Sequence, residues 1–294
     1  MKASRVRLRL EQNRQARSIH GGALNMYAAA MGVKLSRLPI PSRRLRERLF
    51  RKLYGGKYSA LCEQELERPL ADYRSLNELF TRGVRAECRP LPVDADSFLC
   101  PCDSTVQETG RLADAQRMTV KGVEYTLASL LPGMPTERFA GGQFAVFFLS
   151  PADCHRVFCP QDAQLEQLVH VPGRRLLVHP SHQPPRVPSV LAQRAGDHSA
   201  RDAAGACLLV MVAGWGVGNI TYPFPVGLKP HRRARDPPCA GPAATSAPRA
   251  WLATFELGST VIMITEPRPT VVSHLRTGEA VKYGEPAFTF ERTS

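Results

Sequence analysis

Gly258 and Ser259 interrupt a run that otherwise reads as a strand, Phe255-Glu256-Leu257-Gly258-Ser259-Thr260-Val261-Ile262. Thr260, Val261, Ile262 and Ile264 are β-formers. A glycine inside such a run weakens it, and marks a kink, a bulge or a close backbone approach. Ser259 is then either an ordinary small polar residue beside a bulge or a nucleophile. A serine hydroxyl held against the carbonyl of the preceding glycine can attack it and turn the peptide bond into an ester. Elimination from that ester leaves a pyruvoyl group at a new amino terminus, which makes Ser259 a cofactor precursor.

Positioning such a serine takes a sizeable body, and 294 residues with 43% hydrophobic content provide one. The formal charge is +13, and its placement is uneven. Between Met1 and Gly56 fourteen Lys and Arg face only Glu11 and Glu47, so this segment holds +12 of the total. A basic arm on a near-neutral body suits an anionic membrane surface better than nucleic acid, and no aromatic-basic β motif supports the latter. The eight cysteines follow no regular framework, which points to a reducing compartment. Cys100, Cys102, Cys154, His155 and Cys159 lack the spacing of a zinc site, and no metal is expected. The apolar stretch Ala23 to Val33 is shorter than the ~20 residues of a spanning helix.

In chain order, residues 1–20 read as a loose basic arm and Gly22 to Val33 as a small apolar helix. From Arg43 to Leu53 the residues Leu45, Leu49, Phe50 and Leu53 fall on one helical face, with Arg and Lys opposite. That helix either lies on anionic lipid or docks its stripe onto its own core. Ser75 and Glu78 have capping-box spacing. From Ser97 onward short β-rich runs are punctuated by Gly and Pro, which predicts an antiparallel body. Tyr222 to Ala250, rich in Pro, Ala and Arg, reads as a mobile surface loop leading into the Gly258-Ser259 run. The fold expected is α+β: N-terminal helices over residues 1–60, then a mainly antiparallel barrel or sandwich over 61–294.

Several ordered stretches resemble the phosphatidylserine decarboxylase family. They are Leu76-Asn77-Glu78-Leu79-Phe80-Thr81-Arg82, Cys102-Asp103, Lys121-Gly122-Val123-Glu124-Tyr125-Thr126-Leu127, and Phe139-Ala140-Gly141-Gly142. Leu149-Ser150-Pro151-Ala152-Asp153-Cys154-His155-Arg156-Val157, Val171-Pro172-Gly173, Val212-Ala213-Gly214 with Val217-Gly218-Asn219-Ile220, and Leu257-Gly258-Ser259-Thr260 follow. The resemblance implies a proenzyme that cuts itself between Gly258 and Ser259. A β chain of residues 1–258 and an α chain of 259–294 result, the latter headed by the pyruvoyl group. The implied partners are phosphatidylserine, an anionic membrane surface and the two chains of the processed molecule, with no nucleic acid. The implied place is the cytoplasmic side of the cell membrane, peripherally bound.

The resemblance also implies the reaction: phosphatidylserine loses CO2 through a Schiff base with the pyruvoyl group and gives phosphatidylethanolamine. Its relay for self-cleavage is an aspartate, a histidine and the serine, which carries over to Asp103 and Ser259. The histidine departs. The family pattern Tyr-His-Arg-Val-His appears here as Cys154-His155-Arg156-Val157-Phe158, so the second histidine is Phe158. His155 matches the first, which the family uses for substrate contact or decarboxylation. Ser104 replaces a glycine after the aspartate, and Gln193-Arg194-Ala195-Gly196-Asp197 stands where the family has Phe-Ala-Arg followed by Asn-Glu-Arg. Three outcomes stay open at this stage: His155 takes over the relay, another histidine does, or processing is slow or absent. In the last case the protein is an unprocessed, membrane-associated lipid-binding relative.

Overall fold

The structure is a computed structural model. It describes residues 31–54, 61–89, 97–113, 117–120, 123–131, 135–161, 163–171, 194–202, 205–213, 220–224, 239–241, 244–246, 250–256 and 259–290. The expected basic arm over 1–20 and most of the apolar helix lie outside these residues, as does the Gly258 side of the predicted cut.

The described chain opens with helical residues 31–36 and α1 (Arg43–Tyr54). The apolar stripe of α1 divides in two. Phe50 and Tyr54 are buried against Leu66, Leu70, Tyr73 and Leu79, whereas Leu45, Leu49 and Leu53 remain exposed. Docking on the protein's own core thus holds for Phe50, and the other leucines of the stripe face outward. Helix α2 (Leu76–Phe80) starts as its sequence predicts: Ser75 Oγ accepts the Glu78 N–H at 3.1 Å. The reciprocal bond of the capping box lands one residue early, with Glu78 Oε2 accepting the Arg74 N–H at 2.6 Å.

The body contains β1 (Ser97–Leu99), β2 (Ser104–Arg111), β3 (Arg117–Val120), β4 (Val123–Thr126) and a short α3 (Leu127–Leu130). Next come β5 (Gln143–Leu149), β6 (Arg156–Phe158), β7 (Ala163–Val171), β8 (Arg194–Asp202) and β9 (Gly205–Ala213). The chain finishes through β10 (Ile220–Thr221), β11 (Cys239–Gly241), β12 (Ala244–Ser246), β13 (Trp251–Phe255) and β14 (Ser259–Thr265). Last are β15 (Val271–Ser273), β16 (Ala280–Val281) and β17 (Pro286–Phe290).

The main sheet runs β11-β7-β8-β9-β14-β5-β2-β16, with β12 also on β7, and every pairing is antiparallel. Two three-stranded sheets, β1-β17-β15 and β10-β13-β6, cover one of its faces. The main sheet is open, so the body is a sandwich rather than a barrel. Val261 and Met263 of β14 enter the core between the sheets, while Ile262 and Ile264 enter a second core with Leu127, Leu131 and Phe139. Burial on both faces explains the unbroken apolar run, each side chain contributing roughly 1.5–3 kcal/mol. Gly142 lets the chain cross the end of β14: a Cβ there would lie 1.8 Å from the Thr265 carbonyl oxygen.

One expectation needs correction. The proline-rich span from Tyr222 to Ala250 is not all surface loop, because β11 and β12 pair with β7 across residues 163–170. An edge strand offers unpaired backbone groups that a short segment of almost any composition can satisfy.

Candidate active site

The run around Ser259 is two strands in different sheets. β13 ends at Phe255 in the small sheet, and β14 begins at Ser259 in the main one. The predicted cut thus falls where the chain passes between the sheets. Ser259 is paired on both sides, with Leu149 of β5 and Ala213 of β9. On the approach, the Glu256 carboxylate forms an ion pair with Arg37.

His155 is held at this crossing. Its backbone carbonyl accepts the Phe255 N–H at 3.0 Å, and its Nε2 lies 2.9 Å from the carbonyl oxygen of Ser150, the residue after Leu149. The imidazole is fully buried and stacks on Phe80, with centroids 3.8 Å apart. Burial first, and then the nearby charge of Arg82, push its pKa down to about 3, so the ring is neutral at physiological pH. A carbonyl can only accept, so Nε2 carries the proton and Nδ1 holds the lone pair.

The turn supporting His155 is itself tied down. Asp153 Oδ2 accepts the Ser150 N–H at 2.6 Å, and the Asp153 N–H returns to the Ser150 carbonyl at 3.0 Å. Buried Arg82 donates to the carbonyls of Leu79, Ala152 and Asp153, which fixes α2 to this turn. Sequence reasoning quoted Arg82 within a motif and gave it no task. Its burial and carbonyl bonding arise from contacts 70 residues away.

Asp103 lies elsewhere. Arg89 grips its carboxylate twice, Nε to Oδ1 at 3.1 Å and Nη2 to Oδ2 at 2.5 Å, and the Tyr283 N–H donates to Oδ1 at 3.0 Å. Glu65 takes a second bond from Arg89 Nη2 at 2.6 Å, and Lys282 Nζ stands 3.5 Å from Glu65 and 3.9 Å from Asp103. Burial opposes the charge on Arg89, but bonds to Asp103 and Glu65 outweigh it and raise its pKa. Glu65, Arg82, Asp103, Asp153, Cys154 and Lys282 border a cavity of about 50 Å³.

Phe158 is on the Asp103 side. Its N–H donates to the Pro101 carbonyl at 2.8 Å, and its ring packs with Cys154, Tyr283 and Val84. His155 stacks on Phe80 instead, and no hydrogen bond joins it to Asp103. The structure holds His155 between the Ser150 turn and the end of β13, and leaves Asp103 with other partners.

With this geometry in hand, comparison with known proteins gives a family. The family model for phosphatidylserine decarboxylase matches residues 76–289. The chain is similar to the phosphatidylserine decarboxylase proenzyme of Bordetella petrii, with 34% identity over 78% of this chain and 83% of that one. The proenzymes of Nitrosococcus oceani (32%, covering 82% of this chain and 80% of its own) and Halorhodospira halophila (35%, covering 75% of each) are similar too. The chain belongs to the phosphatidylserine decarboxylase family, enzymes of the carboxy-lyase class.

Proposed function

We propose that this chain is a phosphatidylserine decarboxylase proenzyme that cuts itself between Gly258 and Ser259. The observation that carries the reading is the bond from the His155 ring to the carbonyl of Ser150, the residue after Ser259's strand partner Leu149. In the cut, the Ser259 Oγ–H gives its proton to His155 Nδ1 as Oγ bonds to the Gly258 carbonyl carbon. The peptide nitrogen leaves that carbon and takes the proton back, which yields the ester. Elimination removes the Ser259 Cα proton and breaks Cβ–Oγ, leaving Gly258 as a carboxylate. One water then replaces the nitrogen, which departs as ammonia.

The strands on either side of Ser259 support the pyruvoyl terminus by fixing its backbone on both edges. When present, that group supplies a carbonyl that accepts the electron pair left by CO2. Neutral His155 is suited to moving the proton that replaces CO2, and phosphatidylethanolamine is the product. Leu45, Leu49 and Leu53, with Met31, Leu35 and Leu38, form exposed apolar surface amid the arginines of α1. Such a surface supports peripheral contact with anionic lipid. Among the described residues no helix is long and apolar enough to cross a membrane.

Intact mass of the purified protein tests the reading. Two chains are expected, and the 259–294 fragment should be lighter by ammonia than the same peptide with a free serine. Phe158 motivates one other reading, an uncut lipid-binding relative. A single unbroken chain with its serine intact would establish that instead.

A further inference from the structure

We infer that Asp103 joins the two pieces of the processed molecule and takes no part in proton relay. This rests on the cut at 258/259 proposed above. Glu65, Arg89 and Asp103 belong to the larger piece, and Lys282 and Tyr283 to the smaller one. The four charged side chains form one alternating cluster across that division, and Arg89 and Asp103 are almost fully buried, at 2% and 3% side-chain exposure. A buried carboxylate gripped by a two-point guanidinium and a backbone N–H has little capacity left to orient an imidazole.

Contacts of residues 281–283 add to the same joint. Val281 of β16 pairs with Ser104, which sets residues 282 and 283 beside Asp103. The Tyr283 ring stacks on Phe158 at 3.9 Å, and the Arg89 guanidinium lies over it at 5.3 Å. Tyr283 is therefore held by its N–H and by its ring. An imidazole at residue 158 could accept a proton or be oriented by a carboxylate, and Phe158 can do neither. With that base absent, Asp103 is left to bind the 259–294 piece.

The test separates relay from joint in the full-length protein. Asp103→Asn removes the carboxylate a relay needs but can still accept the Tyr283 N–H. Self-cleavage, followed by intact mass, should stay within about threefold of wild type. Asp103→Ala removes the acceptor as well, and the Tyr283 amide should exchange with deuterium at least tenfold faster. A hundredfold loss of cleavage in the Asn variant, with Tyr283 still protected, would overturn the proposal. Unchanged Tyr283 exchange in the Ala variant would overturn it too. Should Asp103→Ala not fold, Arg89→Lys keeps the charge and loses the two-point grip. It is then expected to cleave at the wild-type rate with faster Tyr283 exchange, and any other result counts against the joint. A wild-type chain that never cuts would remove the proposed function, while the exchange comparison would still decide whether Asp103 holds residues 282–283.

Discussion

The rings of Phe158 and Tyr283 lie face to face, 17° from parallel, and the backbone N–H of that same tyrosine is bonded to Asp103. An apolar stack thus fills the place beside Asp103 where the family pattern puts a proton acceptor. Restoring a histidine there should accomplish little. Phe158→His is expected to leave self-cleavage within threefold of wild type, because the base proposed for the cut is His155. It should cost about 1 kcal/mol of stability through a weaker aromatic pair. Cleavage at least tenfold faster, timed by mass spectrometry, would instead mean that an Asp103 relay had been rebuilt.

His155→Gln keeps a donor for the Ser150 carbonyl but offers no base. A general base contributes about 10²- to 10⁴-fold, so cleavage should slow by at least a hundredfold while the fold persists. Near-ultraviolet circular dichroism checks the fold, and electrophoresis the cut. A variant that is folded and still splits at the normal rate would remove His155 from the mechanism.

Ser259→Ala should give a single uncut chain with no decarboxylase activity, since in the proposed cut Oγ is both the attacking atom and the leaving oxygen. A variant that still yields two fragments would place the cut at another bond.

Acid should destabilise the protein in a window set by His155. Its folded pKa of about 3 lies below the ordinary 6.5, so the folded chain binds fewer protons than the unfolded one between those values. This stabilising contribution is complete above pH 6.5 and is lost as pH falls, approaching on the order of 5 kcal/mol by pH 3. Among the described residues, its ring is near the Phe80 ring, the Arg82 guanidinium and the 150–153 turn. Asp153 there, pushed up mainly by burial against its Ser150 bonds, works the other way. Glu65, for which burial is outweighed by Arg89 and Lys282, adds to the acid loss. Denaturant midpoints at pH 7 and pH 4 should differ less in His155→Gln than in wild type. An equal difference would show that His155 is not the group responsible.

Helix α1 divides its work between two faces. Leu49→Glu with Leu53→Glu should weaken sedimentation with anionic vesicles at least tenfold and move stability by less than about 1 kcal/mol, because both side chains are exposed. Phe50→Ala, in the core, should cost about 3–5 kcal/mol. Equal vesicle binding by the double variant would remove α1 from the lipid surface.

Local chemistry was legible in the chain before any fold was known. The Ser75 cap, the amphipathic period of α1, the β-branched content of β14 and the Gly258-Ser259 pair depend on residues within a few positions of one another. The ordered motifs gave the family for the same reason, since they are strings of neighbours. Periodicity told which residues of α1 share a face, but not that a core would cover Phe50 and leave Leu45 exposed.

Partnership across the chain was decided only by the tertiary structure. Asp103 finds Arg89 14 residues away and Tyr283 180 residues away, and no spacing rule links the three. The placement of Phe255 in one sheet and Ser259 in another, and the short strands within the proline-rich span, likewise depend on which edges the rest of the fold leaves open. Sequence fixes what each residue can do within one turn or one strand, where covalent geometry sets the distances. Whether a histidine meets a serine or an aspartate meets an arginine depends on how distant strands register against one another, and packing of the whole core settles that.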